Sequence, residues 1–180
     1  METALTPSTQ RLAAALRHER PDRIPIDLGS TAVTGIHVSA VAALRDYYGL
    51  PKHPVKVHEP YQMLGWIDED LASAIGIDTV PVLPRENMFG FPNENWKPWN
   101  FRGLDVLVPE KFHVQTEPDG AFLIFPKGET SAPPSGRMPL GSAFFDTIIR
   151  QPPIDENNLN VADNLEEFSP ITDPDLDHFA

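Results

Sequence analysis

The 180-residue sequence has no cysteine, few basic residues and no long apolar run. Without thiols, disulfides, thiolate metal sites and cysteine nucleophiles are excluded within this segment. Fourteen Lys and Arg against 26 Asp and Glu give a formal net charge of -12. With no basic cluster in addition, the chain lacks the electrostatic footprint that binds nucleic-acid backbones. An anionic small molecule stays open, because one local arginine can hold such a group inside an acidic protein. A membrane span requires about 18 consecutive apolar residues, which the chain does not offer, and Met1-Glu2-Thr3 leads into a polar amphipathic stretch instead of an apolar leader. The expectation is a soluble, cytoplasmic protein with neither a nucleic-acid nor a membrane partner.

Proline is the residue in excess. Twenty prolines are roughly twice the usual share of about 5%. Most fall at element boundaries or between Pro81 and Pro153, a placement that predicts long ordered loops. The acids are also unevenly placed: residues 151–180 hold eight of them and no Lys or Arg, so they carry -8 of the -12. Three segments follow from these shifts: 1–87, a helical start and first strands; 88–150, an aromatic loop and an antiparallel insertion; and 151–180, an acidic segment.

Apolar spacing and end signals predict the elements. A helix over Pro7 to Glu19 has Thr6 as its cap and Leu12 and Leu16 on one face. Pro21 stops it, and Ile24, Ile26 and Leu28 read as a buried strand with Asp27 near its end and Gly29-Ser30-Thr31 as the following turn. Further helices are expected over Ile36 to Tyr48, closed by Gly49, and over Pro60 to Ile75, closed by Gly76. Val55 to Val57 is extended, and Thr79 to Leu83 reads as a second buried strand despite Pro81. Met88 to Asn100 looks irregular, with Phe89, Phe91, Trp96 and Trp99 among Gly, Pro and Asn. Three antiparallel strands are expected over Leu104 to Val108, Phe112 to Thr116 and Ala121 to Phe125, the last two joined by Glu117-Pro118-Asp119-Gly120 as a turn. Residues 126–143 read as a surface excursion, Phe144 to Ile149 as an apolar run of open type, and Asp163 to Phe168 as a short helix. Thr172-Asp173-Pro174-Asp175-Leu176 has the cap, proline and acids of a helix start. Few residues follow it, so the larger fold is expected to be incomplete within this chain.

Sites in α/β proteins form where loops converge over strand ends. At the first such end stand Asp27, Ser30 and Thr31, and at the second Arg85, Glu86 and Asn87. Asp27 is the candidate catalytic group, able to stabilise a developing cation, while Arg85 offers a two-pronged carboxylate clamp. The competing reading has Asp27 capping the turn at Gly29 and Arg85 paired with Glu86 or another acid. Among the six histidines only His37, which begins a helix near the first loop, is placed near a pocket. His53, His58 and Glu59 lack the spacing of a metal site, and no metal ligand is assigned. Gly29-Ser30-Thr31 lacks the spacing and lysine of a phosphate loop, and Ser135-Gly136-Arg137 lacks the context of a nucleophile elbow.

Three segments carry a resemblance: Arg11 to Asp27 (RLAAALRHERPDRIPID), Gln62 to Asp78 (QMLGWIDEDLASAIGID), and Gly103 to Asp146 with its GLDVLVP, DGAFLIFPKG and FFD runs. Together they resemble the amino-terminal part of the uroporphyrinogen decarboxylase-like superfamily, which includes the decarboxylase and corrinoid-dependent methyltransferases. The resemblance implies an α/β fold, the opening of a (β/α)8 TIM-type barrel with an inserted antiparallel meander. A whole barrel takes about 250 residues, so the chain is expected to be inactive alone. The decarboxylase has an arginine-rich segment after its first strand, and here Asp27 to Thr34 contains none. The resemblance therefore implies methyl transfer from a small methylated substrate, with Thr31, His37 and Arg85 binding it beside Asp27. Decarboxylation of a tetrapyrrole or other acid is the alternative. A corrinoid protein is the implied partner, and the relatives' zinc ligands would fall outside this chain. A third reading is a noncatalytic subunit whose exposed sheet edges require self-association or a barrel-completing chain.

Overall fold

A threonine and a proline start the first helix. Thr6 accepts a hydrogen bond from the Thr9 amide at 3.2 Å, and Pro7, whose missing N–H costs nothing there, opens α1 (Pro7–Leu16). The helix ends three residues before the expected Glu19 because His18 turns into the left-handed region at φ 59°. The computed structural model describes residues 5–149, 156, 157, 159 and 171–180, and the expected helix over Asp163 to Phe168 lies outside them. The chain divides into two units: Met1–Leu83 with Asn93–Glu110, and Pro84–Pro92 with Lys111–Ala180.

The first unit continues with α2 (Val38–Tyr47), β1 (Val55–Glu59), β2 (Leu64–Gly65), α3 (Glu69–Ile75), β3 (Lys97–Phe101) and β4 (Leu104–Val108). Its sheet has the order β2-β1-β4-β3. β1 runs antiparallel to β2 and parallel to β4, with Val55 opposite Val106. β3 and β4 form a hairpin in which Phe101 faces Leu104. The two intervening residues, Arg102 and Gly103, both have positive φ, the geometry of a two-residue turn that matches strand twist. Val38 and Val41 of α2, Val57 of β1, Leu71 of α3 and Val106 and Val108 of β4 are almost fully buried. α2 comes close to β2 because Gly65 has no side chain: a Cβ there would lie 2.8 Å from Val41 Cγ2 and 3.0 Å from Val38 Cα.

The second unit contains β5 (Val114–Thr116), β6 (Phe122–Ile124), β7 (Gly136–Met138), β8 (Asp146–Thr147) and α4 (Asp173–His178). The four strands pair in sequence order, each antiparallel to the next. The β5–β6 turn forms at Glu117-Pro118-Asp119-Gly120 as expected, closed by the Gly120 amide donating to the Glu117 carbonyl at 2.9 Å. Arg137 ties β7 to that turn through Glu117 at 2.6 Å and through Asp119. Phe91, Phe112, Ile124, Met138 and Phe145 are fully or almost fully buried.

This architecture corrects the barrel expectation. The described residues form a mixed α/β protein with two small four-stranded sheets and four α-helices, which does not resemble part of a (β/α)8 barrel. Among the described residues only β1 and β4 pair in parallel, whereas a barrel needs successive parallel strands joined through helices. Neither of the two expected buried strands forms. Ile24 is 83% exposed and Val80 79% exposed, and Pro25 and Pro81 cannot donate to a ladder. The start of the second segment still lies beside the first, with the amide of the preceding Asp78 donating to the Ile26 carbonyl at 2.9 Å and the Thr79 hydroxyl to Asp27 at 2.8 Å.

Other differences are local. The expected helix over Pro60 to Ile75 is a turn, then β2, then α3. The Glu59 carboxylate accepts the amides of Tyr61 and Gln62, both at 2.9 Å, and so fixes the turn. Met63 then takes φ 55°, which no α-helix contains. The stretch read as irregular holds β3, and the surface excursion holds β7.

Candidate functional site

The site is best built from Asp78, the first residue after the left-handed cap Gly76 and Ile77. Its carboxylate is completely buried and fully engaged. Arg11 donates to Oδ1 at 2.5 Å, Ser8 to Oδ1 at 2.8 Å and the Ile26 amide to Oδ2 at 2.9 Å, while Arg23 lies 2.9 Å from Oδ2. Burial by itself would raise the pKa of this acid. The Ile26 amide, the Ser8 hydroxyl and the Arg11 guanidinium outweigh it and hold the carboxyl at about 2.

Arg11 reaches a second acid. Its Nε and Nη2 donate to the two oxygens of Asp22, each at 2.7 Å, the two-pronged geometry that suits a guanidinium. That pairing is the main cause of a raised Arg11 pKa, and it lowers Asp22 to about 2. Arg23 also donates to the Gly76 carbonyl at 2.8 Å. Helix α1, the loop after it and the end of α3 are thus joined by side chains where a sheet ladder was expected.

The clamp sets Asp27 beside Thr79. The Thr79 hydroxyl donates to Asp27 Oδ1 at 2.8 Å, and the Thr34 hydroxyl approaches the same oxygen at 3.4 Å. Hydrogen bonding from Ser30 leads the causes that hold the Asp27 carboxyl below its ordinary value, with Thr79 and Thr34 adding to it. Asp27 is therefore an ionised acceptor at neutral pH and not a proton donor. Next to it opens a cleft of about 590 Å³ within the first unit. Hydroxyls from Ser8, Thr9, Ser30, Thr31 and Thr79 line it, and Leu12, Ile77, Val80 and Val82 supply its apolar surface.

Of the residues singled out from sequence, Asp27 and Thr31 come together at this cleft: Thr31 lines it directly, and Asp27 binds its wall. His37 caps α2, its Nδ1 accepting the Ser39 amide at 3.2 Å, and its ring lies 5.6 Å from that of Phe101. Arg85 belongs to the second unit, where it pairs with Glu86 at 3.0 Å and Asp175 at 3.2 Å, the alternative that the sequence also allowed. Asp78, Arg11 and Thr79 were not singled out. No local signal marks them: Asp78 stands two residues past Gly76, and Arg11, which binds it, is 67 positions away. Among the described residues no group of three or more His, Asp and Glu is arranged to hold a metal ion, and no helix is long and apolar enough to cross a membrane. No family model, characterised protein or solved structure matches the chain.

Proposed function

We propose that the first unit binds a small methylated substrate at the Asp27–Thr79 cleft and serves methyl transfer to a corrinoid protein, as in the methyltransferases of the uroporphyrinogen decarboxylase-like superfamily. One observation carries the reading. Two of the segments that carry the resemblance, Arg11 to Asp27 and Gln62 to Asp78, meet in a single clamp, and the residues just beyond each arm border the cleft. The barrel is no part of this proposal. The chain's own contribution is to bind and orient: the apolar surface of Leu12, Ile77, Val80 and Val82 receives the methylated body, and the hydroxyls of Ser30, Thr31 and Thr79 fix its polar end.

The decarboxylase alternative needs a cation to receive a substrate carboxylate. Among the described residues no Lys or Arg lines the cleft, and Arg11 and Arg23 are already held by Asp22 and Asp78. The test is to supply the gene product carrying this chain with a reduced corrinoid protein and a panel of methylated amines, ethers and thiols. Methyl-corrinoid formation, followed by absorbance, is expected with at least one donor. No methylation across the panel, or turnover of uroporphyrinogen instead, would refute the proposal.

A further inference from the structure

Resting on that methyl-transfer reading, we infer that the cleft selects a cationic methyl donor, a quaternary ammonium compound with a compact alkyl body, over neutral ethers and carboxylates.

Charge is the first argument. Among the described residues the only ionisable group lining the cleft is Asp78, whose oxygens are already taken by Arg11, Arg23, Ser8 and the Ile26 amide. The neighbouring Asp27 is different. The hydrogen bonds to its carboxylate come from neutral hydroxyl and amide groups of Ser30, Thr34 and Thr79, and it is exposed. Its charge is thus held in place but not neutralised, at a wall shared with Ser30 and Thr79. A cation at the cleft meets this carboxylate favourably, an anion meets it unfavourably, and a neutral molecule gains nothing from it.

Leaving-group chemistry is the second argument. When a quaternary ammonium donor reacts, the C–N bond breaks with its electron pair left on nitrogen, so the amine departs neutral and needs no proton. The methyl group bonds to the electron pair supplied by the reduced corrinoid carrier. An ether or a thioether would leave as an anion and calls for an acid at the leaving atom. Asp27 and Asp78, both held ionised by their hydrogen bonds, donate no proton at neutral pH. The hydroxyl-rich wall can still solvate a departing amine, and the valines and leucine accept its alkyl groups.

Three shape-matched probes separate charge from size: choline, its neutral isostere 3,3-dimethylbutan-1-ol and the anion 3,3-dimethylbutanoate. Their binding to the full chain can be measured by calorimetry at pH 7.5. Choline is expected to bind about tenfold more tightly than the alcohol, as one screened ion contact allows, and the carboxylate most weakly of all. Asp27→Asn should reduce the choline-to-alcohol ratio to about one while circular dichroism remains that of the parent. In the parent chain the same ratio should shrink as salt rises, a measurement that requires no variant. Equal binding of choline and alcohol, preferred binding of the carboxylate, a salt-independent preference, or no binding of any probe would overturn the inference. Selective choline binding without methyl-corrinoid formation would refute only the methyl-transfer reading. Methyl transfer confined to neutral ethers would refute only the choice of a cationic donor.

Discussion

Acidification provides a quantitative test of the first unit through His58. Its ring sits on β1, 4% exposed, edge-on to Trp66 with centroids 5.8 Å apart and an interplanar angle of 85°. Burial pushes its pKa down from 6.5 to about 4. The unfolded chain therefore binds the His58 proton more tightly than the folded one. Stability from this group is fully present above about pH 6.5 and falls as pH drops toward 4. Between pH 7.5 and pH 5.0 those two values give a loss of about 2 kcal/mol. The adjacent Glu59 acts in the opposite sense. Burial raises its pKa, against the Gln62 and Tyr61 amides, so the folded state takes up its proton first and gains stability as pH falls. A variant comparison removes this and every other shared titration. His58→Phe keeps a ring against Trp66 and cannot titrate. Trp66, Trp96 and Trp99 are the three tryptophans of the chain, and all belong to the first unit. Their fluorescence during urea unfolding consequently reports that unit alone. The parent should lose about 2 kcal/mol more than His58→Phe between the two pH values. Parallel losses in the two proteins would refute the burial argument.

The clamp should fail unequally at its two acids: Asp78→Asn should lower the melting midpoint on the order of 10 °C, because it leaves two guanidinium groups facing a buried amide, while Asp22→Asn, at a 69% exposed side chain, should lower it by much less. Both acids have pKa values of about 2, so the clamp's contribution is present above about pH 4 and lost as pH falls through about 2, a loss that an acid melt in either variant should show reduced. Gly65→Ala should cost about 1–3 kcal/mol, read by the same tryptophan fluorescence, since the new methyl meets Val38 backbone at 3.0 Å and α2 has to lift. Phe91→Ala should cost about 3–5 kcal/mol in the second unit, measured by amide exchange of β5 to β8, because Phe91 is fully buried and stacks with Phe89 at 6.5 Å.

End signals were more legible in the sequence than the elements between them. Thr6-Pro7, Gly49, Gly76 and the Glu117 to Gly120 turn all act where their local chemistry predicts, because a cap or a turn depends on a few neighbouring residues. Long-range pairing decided the rest. Leu64, Ile67, Leu71 and Ile75 repeat at helical spacing, yet Leu64 is drawn into β2 by its antiparallel partner Glu59. β3 was hidden by Pro98, although Trp99 and Phe101 alternate and Arg102-Gly103 is a two-residue hairpin loop. Ile24 to Leu28 and Thr79 to Leu83 have the apolar content of strands but do not pair as a ladder: the backbone bond beside them joins Ile26 to Asp78, which precedes the second segment, and Pro25 and Pro81 have no amide to donate. At the site, Asp27 was visible because it precedes a turn. Asp78 was not singled out, since nothing local indicates that Arg11, 67 positions away, will bind it.

The clamp also gives two stretches of the sequence a structural role. Arg11, Asp22, Arg23 and Asp78 lie within the segments Arg11 to Asp27 and Gln62 to Asp78, and their side chains are occupied with each other. Their positions follow from a folding requirement: a buried carboxylate has to be answered by charge and by hydrogen bonds or it destabilises the chain. Such residues build the contact from which the cleft wall is positioned. On the proposed reading the groups that would discriminate between substrates are Asp27, Ser30, Thr31 and Thr79, which lie at or beside the cleft. The two sets are separable by substitution. Changes in the clamp should move the melting midpoint and the acid limit together, whereas changes at Ser30 or Thr31, which lie on loop backbone at the cleft wall, should move ligand preference and leave the midpoint in place.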